Sequence, residues 1–335
     1  MFATKIVSRG FVSVALLSVA ATAAGHMSSG AAVCDGGSNT NSAFVFIKPH
    51  ANTPAAQKMV SGELKRRGVK IIKEGELSGE QIDADMLIDQ HYYAIASKAT
   101  LLKPETLPVP KQKFKDSFGL EWEDALNQGL VFNAIDACKY LGIDGAGLDA
   151  IWSKSKLVKF GGGFYCGKLE PKIAGKHKTI YVFNGFFMSM RGKFVQPNTS
   201  IHYYVVDFEP DTLSWADFRG KVLGPTNPKD SPSDSLRGSM LADWKSLGMK
   251  AEPTVGDNCV HASASPFEGL AEKMNWLGLK PQQTGFGAAL IKSGVSPKVI
   301  QEWSVDPQVQ GKSLFDQLED LDAKECVEKA VELSK

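Results

Sequence analysis

Residues 43–93 alternate twice between a short apolar run and a stretch with helical character, and this alternation constrains the fold more than any other feature. Ala43–Ile47 is a continuous apolar run of the length expected for a buried strand. A helical stretch over 55–67 separates it from a second strand at Val69–Ile72. Ser78 begins a capping-box pattern that predicts another helix. The chain is therefore expected to form strand, helix, strand and helix in succession.

The rest of the chain continues with both kinds of element. A proline-rich connection at 101–111 precedes a long helical pattern over 114–157. Apolar runs at Thr179–Met190 and Ile201–Phe208 predict two more strands. Residues 214–223 then predict a short helix.

The overall composition excludes several classes of protein. Of 335 residues, 43% are hydrophobic and 22% are charged, which suffices for a core and excludes wholesale disorder. The formal net charge of +1 gives no broad positive field, so a nucleic acid partner is not expected. Five widely spaced cysteines without a C-x-x-C pattern argue against a zinc ribbon and a disulfide-stapled small fold.

The first 40 residues have the character of a targeting segment and linker. Lys5 and Arg9 precede an apolar run at Phe11–Ala24, which is shorter than the roughly 20 residues that span a bilayer. This order favours a cleavable signal peptide. An organelle presequence is the competing interpretation, because serine is frequent and acidic residues are absent. Either one predicts delivery to the secretory pathway or an organelle, with no membrane span in the processed chain.

The sequence around His261 suits a role as a catalytic nucleophile. This histidine belongs to the segment NCVHASAS (258–265), and Glu272 follows it by eleven residues. A neutral imidazole is a competent nucleophile at physiological pH, but it needs a partner that fixes its tautomer. Glu272 can reach back from the start of a predicted helix to do this. A structural or surface histidine is the simpler alternative.

Three further side chains are suited to bind phosphate. The loop GPTNP (224–228) offers the hydroxyl of Thr226, and Arg237 follows with a planar fork of donors. Lys48 ends the first predicted strand, where Pro49 fixes the backbone. The simpler alternatives are a solvated loop and a strand terminator.

In combination, these segments resemble nucleoside diphosphate kinase. The resemblance rests on four segments in the family's order: FVFIKP (44–49), His91-Tyr92, LGPTNPKDS (223–231) with Arg237, and NCVHASAS with Glu272. Two strict spacings are kept, namely the arginine eleven positions after the threonine of T-N-P and the pattern N-x-x-H-x-S. The resemblance covers about 43–100 and 179–278.

The resemblance implies an α+β fold, a ferredoxin-like sandwich with an antiparallel sheet, plus a mostly helical insertion. The implied kinase-like domain covers 41–280 with the insertion at about 101–178, and 281–335 forms a C-terminal tail. The family forms symmetric oligomers, so a homo-oligomer is one expectation here. A protein partner that docks on 101–178 is another.

The resemblance also implies a reaction and a role for each matching residue. A nucleoside triphosphate would pass its γ-phosphoryl group to a nucleoside diphosphate through a phosphohistidine on His261. Glu272 would orient the imidazole with support from Ser263, and Mg²⁺ would enter with ATP or another nucleoside triphosphate. The implied ligands of the phosphate oxygens are Lys48, Tyr92, Thr226 and Arg237, and that of the sugar hydroxyl is Asn258.

Three departures from the family pattern leave a second function open. The family places another phosphate-binding arginine where this chain has Gly220, whereas Arg219 lies one residue earlier. A short helix that ends early would let Arg219 or Lys221 fill that place. Ala264 replaces an aspartate of the family, and extra residues precede His261. The alternative is a catalytically weakened kinase-like module for nucleotide binding or structural interaction.

Overall fold

The structure is a computed structural model that describes residues 39–161, 163–171 and 178–335. Apart from its last two residues, the predicted targeting segment at 1–40 lies outside the described residues, so its type stays a prediction. Among the described helices, none is both long and apolar enough to cross a bilayer.

The amino-terminal quarter of the described chain follows the predicted alternation. Thr53 caps the first helix, because its side chain accepts a hydrogen bond from the amide of Ala56. Ser78 caps the second helix in the same way. The elements are β1 (Asn41–Ile47), α1 (Pro54–Arg66), β2 (Lys70–Ser78), α2 (Gly79–Ala84), α3 (Leu87–His91), α4 (Tyr93–Ala96) and a π-helical turn at Ser97–Leu101.

The next segment is rich in helices, as predicted for 101–178, but it also contains strands. A strand interrupts the pattern that had predicted helix throughout 114–157. The predicted strand at Thr179–Met190 is wrong beyond residue 183, because Asn184 adopts a left-handed conformation (φ 47°) that ends the strand before a helix begins. The elements are α5 (Lys111–Phe118), α6 (Trp122–Asn127), β3 (Val131–Asn133), α7 (Ala134–Leu141), α8 (Gly145–Trp152), β4 (Lys156–Gly161), β5 (Phe164–Leu169), β6 (Ile180–Phe183) and α9 (Phe186–Val195).

The carboxyl-terminal half completes the main sheet and adds a helical tail. The predicted short helix at 214–223 is present, and its second half is π-helical. The elements up to residue 277 are β7 (Ser200–Phe208), α10 (Trp215–Asp217), the π-helix Phe218–Leu223, α11 (Leu236–Asp243), β8 (Val260–Ala262) and α12 (Pro266–Leu277). The tail contains α13 (Gly285–Lys292), α14 (Pro297–Trp303), β9 (Gln308–Val309), β10 (Lys312–Ser313), α15 (Leu314–Leu318) and α16 (Ala323–Leu333).

The main sheet is antiparallel, with the strand order β2-β7-β1-β8. If these four strands are numbered 1 to 4 as they occur along the chain, their order across the sheet is 2-3-1-4, which is the ferredoxin-like order. Every residue of β1 is buried. Ala43, Val45 and Ile47 pack on the side of α1, while Phe44 and Phe46 pack on the opposite side with residues of α3 and α12. The predicted α+β fold class is confirmed.

A second sheet lies within the inserted segment. It is mixed, with the strand order β3-β6-β5-β4, and the pair β3–β6 is parallel. One of its strands, β6, follows residue 178 and pairs with β3 and β5, which lie within 101–178. The helices of the segment and this sheet bury two apolar clusters of their own.

Candidate active site

His261 lies on the short strand β8, beside the fully buried central strand β1. The pairing of β8 with β1 places His261 opposite Phe46, and the two rings stack with centroids 4.8 Å apart. The histidine side chain keeps 17% exposure, so it is held by the sheet yet reachable. This position lets the central strand fix the plane of the imidazole.

His261, Glu272 and Ser263 form a short chain of hydrogen bonds, in which Glu272 contacts the imidazole and Ser263 contacts Glu272. Nε2 of His261 lies 2.5 Å from Oε1 of Glu272, and Oγ of Ser263 donates to Oε2 of Glu272 at 2.6 Å. Ser263 also accepts the amide of Phe44 at 2.9 Å, which ties the chain to β1. An ionised Glu272 holds the proton of His261 on Nε2, which leaves the lone pair on Nδ1. The geometry thus brings together the predicted nucleophile and its two predicted supports.

The charges around His261 keep its imidazole neutral. Burial lowers the pKa of His261 well below its ordinary value, and the positive charges of Lys48, Arg237 and Arg219 lower the pKa further. A neutral imidazole retains the lone pair that a nucleophile needs. The cations that would attract an anionic ligand therefore also favour the reactive form of the histidine.

Glu272 shares its surroundings with a second carboxyl group, that of Glu268, one turn earlier on α12. Burial raises the pKa of Glu272 to about 8, although hydrogen bonds from Ser263 and Glu268 oppose the shift. Desolvation and the charge of Glu272 raise the pKa of Glu268 well above its ordinary value. Two neighbouring carboxyl groups in a desolvated site cannot both ionise readily, so we expect Glu268 to hold a proton while Glu272 is ionised.

A cavity of about 430 Å³ opens in front of His261 and collects three of the predicted phosphate-binding residues. Thr226, Arg237 and Arg219 line it together with His261 and Glu268. Its wall is the predicted loop, which leaves the π-helix at Gly224 with a φ of 89° that favours glycine. The volume falls within the range of small-molecule sites in proteins.

Arg237 joins the loop to the strand that carries His261. Its Nη1 donates to the carbonyl of Gly224 at 2.8 Å and its Nη2 donates to the carbonyl of Val260 at 2.9 Å. Each of these nitrogens has a second N–H, so the fork can also face a ligand. Burial, then the charge of Arg219, lowers the pKa of Arg237 to about 10, which leaves the guanidinium charged at neutral pH. Arg237 is therefore both a brace of the cavity and a source of its positive potential.

Two buried polar atoms lack a partner among the described residues, one on Arg237, which lines the cavity, and one on Asn258, which lines neither this cavity nor that of Lys48. They are Nε of Arg237 and Oδ1 of Asn258. The Nδ2 group of Asn258 donates to the carbonyl of Thr226 at 3.0 Å, so Asn258 connects its own segment to the loop. Unpaired buried polar atoms are costly in a folded protein, and a bound polar ligand can relieve them.

Arg219 reaches the cavity by a route that differs from the sequence-based hypothesis. The helix does not end before Gly220; it continues as a π-helix in which the amide of Gly224 donates to the carbonyl of Arg219 at 3.0 Å. A π-turn contains one residue more than an α-turn. Arg219 lies in this wider turn and lines the cavity. Lys221 instead pairs with the exposed Asp217 at 2.8 Å and does not line the cavity.

Lys48 and Tyr92 line a separate cavity of about 260 Å³. Burial, then the charge of Arg237, lowers the pKa of Lys48 to about 8. Burial, with the charges of Glu272 and Glu268, raises the pKa of Tyr92 to about 12. The predicted phosphate ligands are thus divided between two cavities, although the charge of Lys48 still acts on His261.

His91 is closer to the reactive cluster than the sequence indicated. Its ring meets that of His261 edge-on with centroids 4.6 Å apart, and its Nδ1 lies 3.4 Å from Oε1 of Glu272. The potential ligand atoms of these three residues all lie within 4.8 Å of one another. Two imidazole nitrogens and one carboxylate suit a transition metal better than Mg²⁺, which prefers oxygen ligands. These three side chains therefore do not form a site suited to Mg²⁺.

The sequence also did not reveal two acidic residues of the tail. Glu319 and Asp320 both contact Nη1 of Arg219 at 2.7 Å, and Asp320 lines the cavity. They lie about a hundred residues from Arg219 in the sequence, so no local pattern connects them. The sequence could have indicated Glu268, because it precedes Glu272 by four residues on a helix and therefore lies on the same face.

Comparisons with known proteins give a distant structural relation. No protein-family model and no curated protein matches the sequence. Among solved structures, the chain is similar to an apo nucleoside diphosphate kinase from Encephalitozoon cuniculi, with a TM-score of 0.34 and 12% identity over 72% of this chain and 90% of that one. It is also similar to an NDP kinase from Pyrobaculum aerophilum, with a TM-score of 0.31 and 16% identity over 71% of this chain and 95% of that one. Likenesses this weak decide nothing about activity.

Proposed function

We propose that this chain is a nucleoside diphosphate kinase, which transfers the γ-phosphoryl group of a nucleoside triphosphate to a nucleoside diphosphate through a phosphohistidine on His261. The observation that carries the proposal is the 2.5 Å contact of His261 Nε2 with Glu272 at the wall of a cation-lined cavity. When Glu272 is ionised, this contact favours the proton on Nε2 and leaves the nucleophilic lone pair on Nδ1.

The reaction proceeds in two half-reactions. Nδ1 of His261 forms a bond to the γ-phosphorus of the Mg²⁺-bound triphosphate, and the bond from that phosphorus to the bridging oxygen breaks. The diphosphate leaves with the electron pair of that bond. The proton stays on Nε2 of His261, and Glu272 accepts its hydrogen bond throughout. A second nucleoside diphosphate then attacks the phosphohistidine by the reverse path.

The cations around His261 stabilise the charge that is spread over the transferred group. Arg237 and Arg219 act from the larger cavity, and the hydroxyl of Thr226 supplies a neutral donor there. Lys48 and the phenol of Tyr92 act from the smaller cavity. The resemblance assigns the sugar hydroxyl to Asn258, but its unpaired Oδ1 is buried and the residue lines neither cavity, so binding there requires the loop to move.

Intact-mass measurement after addition of Mg²⁺-ATP tests this proposal. The expected result is a mass increase of one phosphoryl group that is labile to acid and is discharged by a second nucleoside diphosphate. Nucleotide binding without a phosphorylated protein would instead favour the alternative, a kinase-like module without turnover.

The rate of the first half-reaction should rise with pH, with a midpoint near the pKa of about 8 of Glu272. Below that pH the protonated carboxyl donates to Nε2 of His261, which moves the imidazole proton to Nδ1 and blocks attack. Single-turnover phosphorylation from about pH 6 to about pH 9 measures the profile. A flat profile in the parent would contradict this assignment of the tautomer.

Glu272→Gln is the matched variant for this titration. The amide cannot ionise, so phosphorylation should be slow at every pH. The thermal stability of the parent should fall as the pH rises from about 5 to about 8, because the folded parent binds the proton of Glu272 more tightly than the unfolded chain does. The stability of Glu272→Gln should fall less over this range, because it lacks that proton.

A further inference from the structure

The C-terminal tail reaches the cavity through two carboxylates that bind Arg219. Oε1 of Glu319 and Oδ1 of Asp320 each lie 2.7 Å from Nη1 of Arg219. The guanidinium has five N–H groups, so donors remain for a ligand while the carboxylates hold one edge of the fork. The pair therefore determines where the rest of the guanidinium points.

The segment that carries these carboxylates is fixed by its own contacts. The amide of Asp320 donates to the carbonyl of Ala264 at 3.0 Å, on the same segment as His261. Oδ1 of Asp322 accepts from the amide of Trp215 and from Nδ2 of Asn41, both at 2.7 Å. Asp320 itself adopts a left-handed φ of 60°.

The helices on either side of this segment are part of the core. Leu314, Leu318, Ala323 and Cys326 are fully buried, in one cluster with Phe267 of α12. Such burial fixes the backbone that carries Glu319 and Asp320, whose side chains are 43% and 47% exposed. The tail is thus a fixed support and not a strap that exchanges with a ligand.

Arg219 has a particular need for such a support. It lies one residue away from the position that the family pattern predicts, and Gly220 follows it within the same π-helix. An arginine side chain has many rotamers, so an unsupported guanidinium would sample many directions. Asp320 lies beside Ala264, which is the position where the family has an aspartate.

We infer that Glu319 and Asp320 are positioning residues of the site: they hold the guanidinium of Arg219 in the His261 cavity, and the tail thereby completes the catalytic machinery. The expected effect on turnover rests on the proposed function. The positioning itself can be measured without turnover.

The double variant Glu319→Gln/Asp320→Asn tests the inference, because it keeps the shape of both side chains and removes their charges. Asparagine tolerates the left-handed backbone of position 320 well. Glu325→Gln is the matched control, since Glu325 is an exposed acid of the same tail on α16. We expect kcat/KM to fall by about tenfold to a hundredfold in the double variant and to stay unchanged in the control.

The same double change in an Arg219→Ala background should cause little further loss, because the group that the carboxylates position is then absent. A purely structural role of the tail would reduce activity in both backgrounds. Activity equal to or above that of the parent would overturn the inference, since that is the result expected if the carboxylates competed with phosphate for Arg219.

Nuclear magnetic resonance of the arginine Nε–H groups separates this inference from the proposed function. The signal of Arg219, assigned through Arg219→Lys, should report a restrained side chain in the parent and a mobile one in the double variant. If the parent forms no phosphohistidine, the proposed function fails, but a mobile Arg219 in the double variant still supports positioning. A signal that does not change overturns positioning whatever the activity.

Discussion

Replacement of His261 by alanine is expected to abolish phosphoryl transfer, with a loss of at least about four orders of magnitude. The variant lacks the atom that forms the bond to phosphorus, and no other group of the cluster can take its place. His91 is 4% exposed and has its Nδ1 directed to Glu272 and to the indole N–H of Trp276. Loss of the acid-labile phosphoryl group in intact-mass spectra, together with loss of nucleotide exchange, measures the effect.

The affinity for ADP should change by less than about threefold in His261→Ala, because other side chains make the phosphate contacts. His202→Gln is a suitable control, since His202 lies in the same sheet, on β7, outside both cavities. His202→Gln should be phosphorylated to the same extent as the parent. A phosphorylated His261→Ala protein would show that the nucleophile has been assigned to the wrong residue.

Arg237→Ala should lower both the stability of the protein and its affinity for nucleotide. Arg237 is 8% exposed, and its removal leaves the buried carbonyls of Gly224 and Val260 without their donors. Such groups cost about 1–3 kcal/mol each, so we expect a loss of about 2–6 kcal/mol in the free energy of unfolding. The lost charge-assisted contact with phosphate should weaken ADP binding by about 1.5–3 kcal/mol.

Urea unfolding and calorimetry with ADP distinguish these two effects. Arg237→Lys is the matched variant, because it keeps the charge but cannot donate to both carbonyls from one plane. It should lose stability while retaining part of the affinity. Thr226→Ala should cost less affinity than Arg237→Ala, since its hydroxyl is neutral. Equal affinity of Arg237→Ala and the parent for ADP would show that the loop does not bind phosphate.

The sequence predicted three of the four strands of the main sheet, because their patterns are local, whereas β8 was not predicted as a strand. β1 is a continuous apolar run with clear ends, and the patterns around α1 and β2 include their own caps and stops. The first turn of α9 was missed for a physical reason. Its apolar residues follow those of β6 directly, and the break between them depends on the backbone of Asn184. The side chain of Asn184 is held there by the carbonyls of Ile95 and Gly163.

The candidate site was predictable where its residues lie on one segment. The pattern of His261, Ser263 and Glu272 needs only a strand, a turn and the first turns of a helix to bring the side chains together. The separation of Lys48 from Thr226 into different cavities depends on how distant segments pack. The same holds for the contact of Arg219 with Asp320, which no local periodicity encodes.

The place of the tail in the cavity has a consequence for the order in which the protein is made. A ribosome builds the chain from its amino end, and early segments begin to fold while later ones are still missing. A nascent chain that ends after α12 already contains His261, Glu272 and the loop of Thr226, but it lacks the carboxylates that hold Arg219. We therefore expect the chain to acquire a complete pocket only after Glu319 and Asp320 have been synthesised.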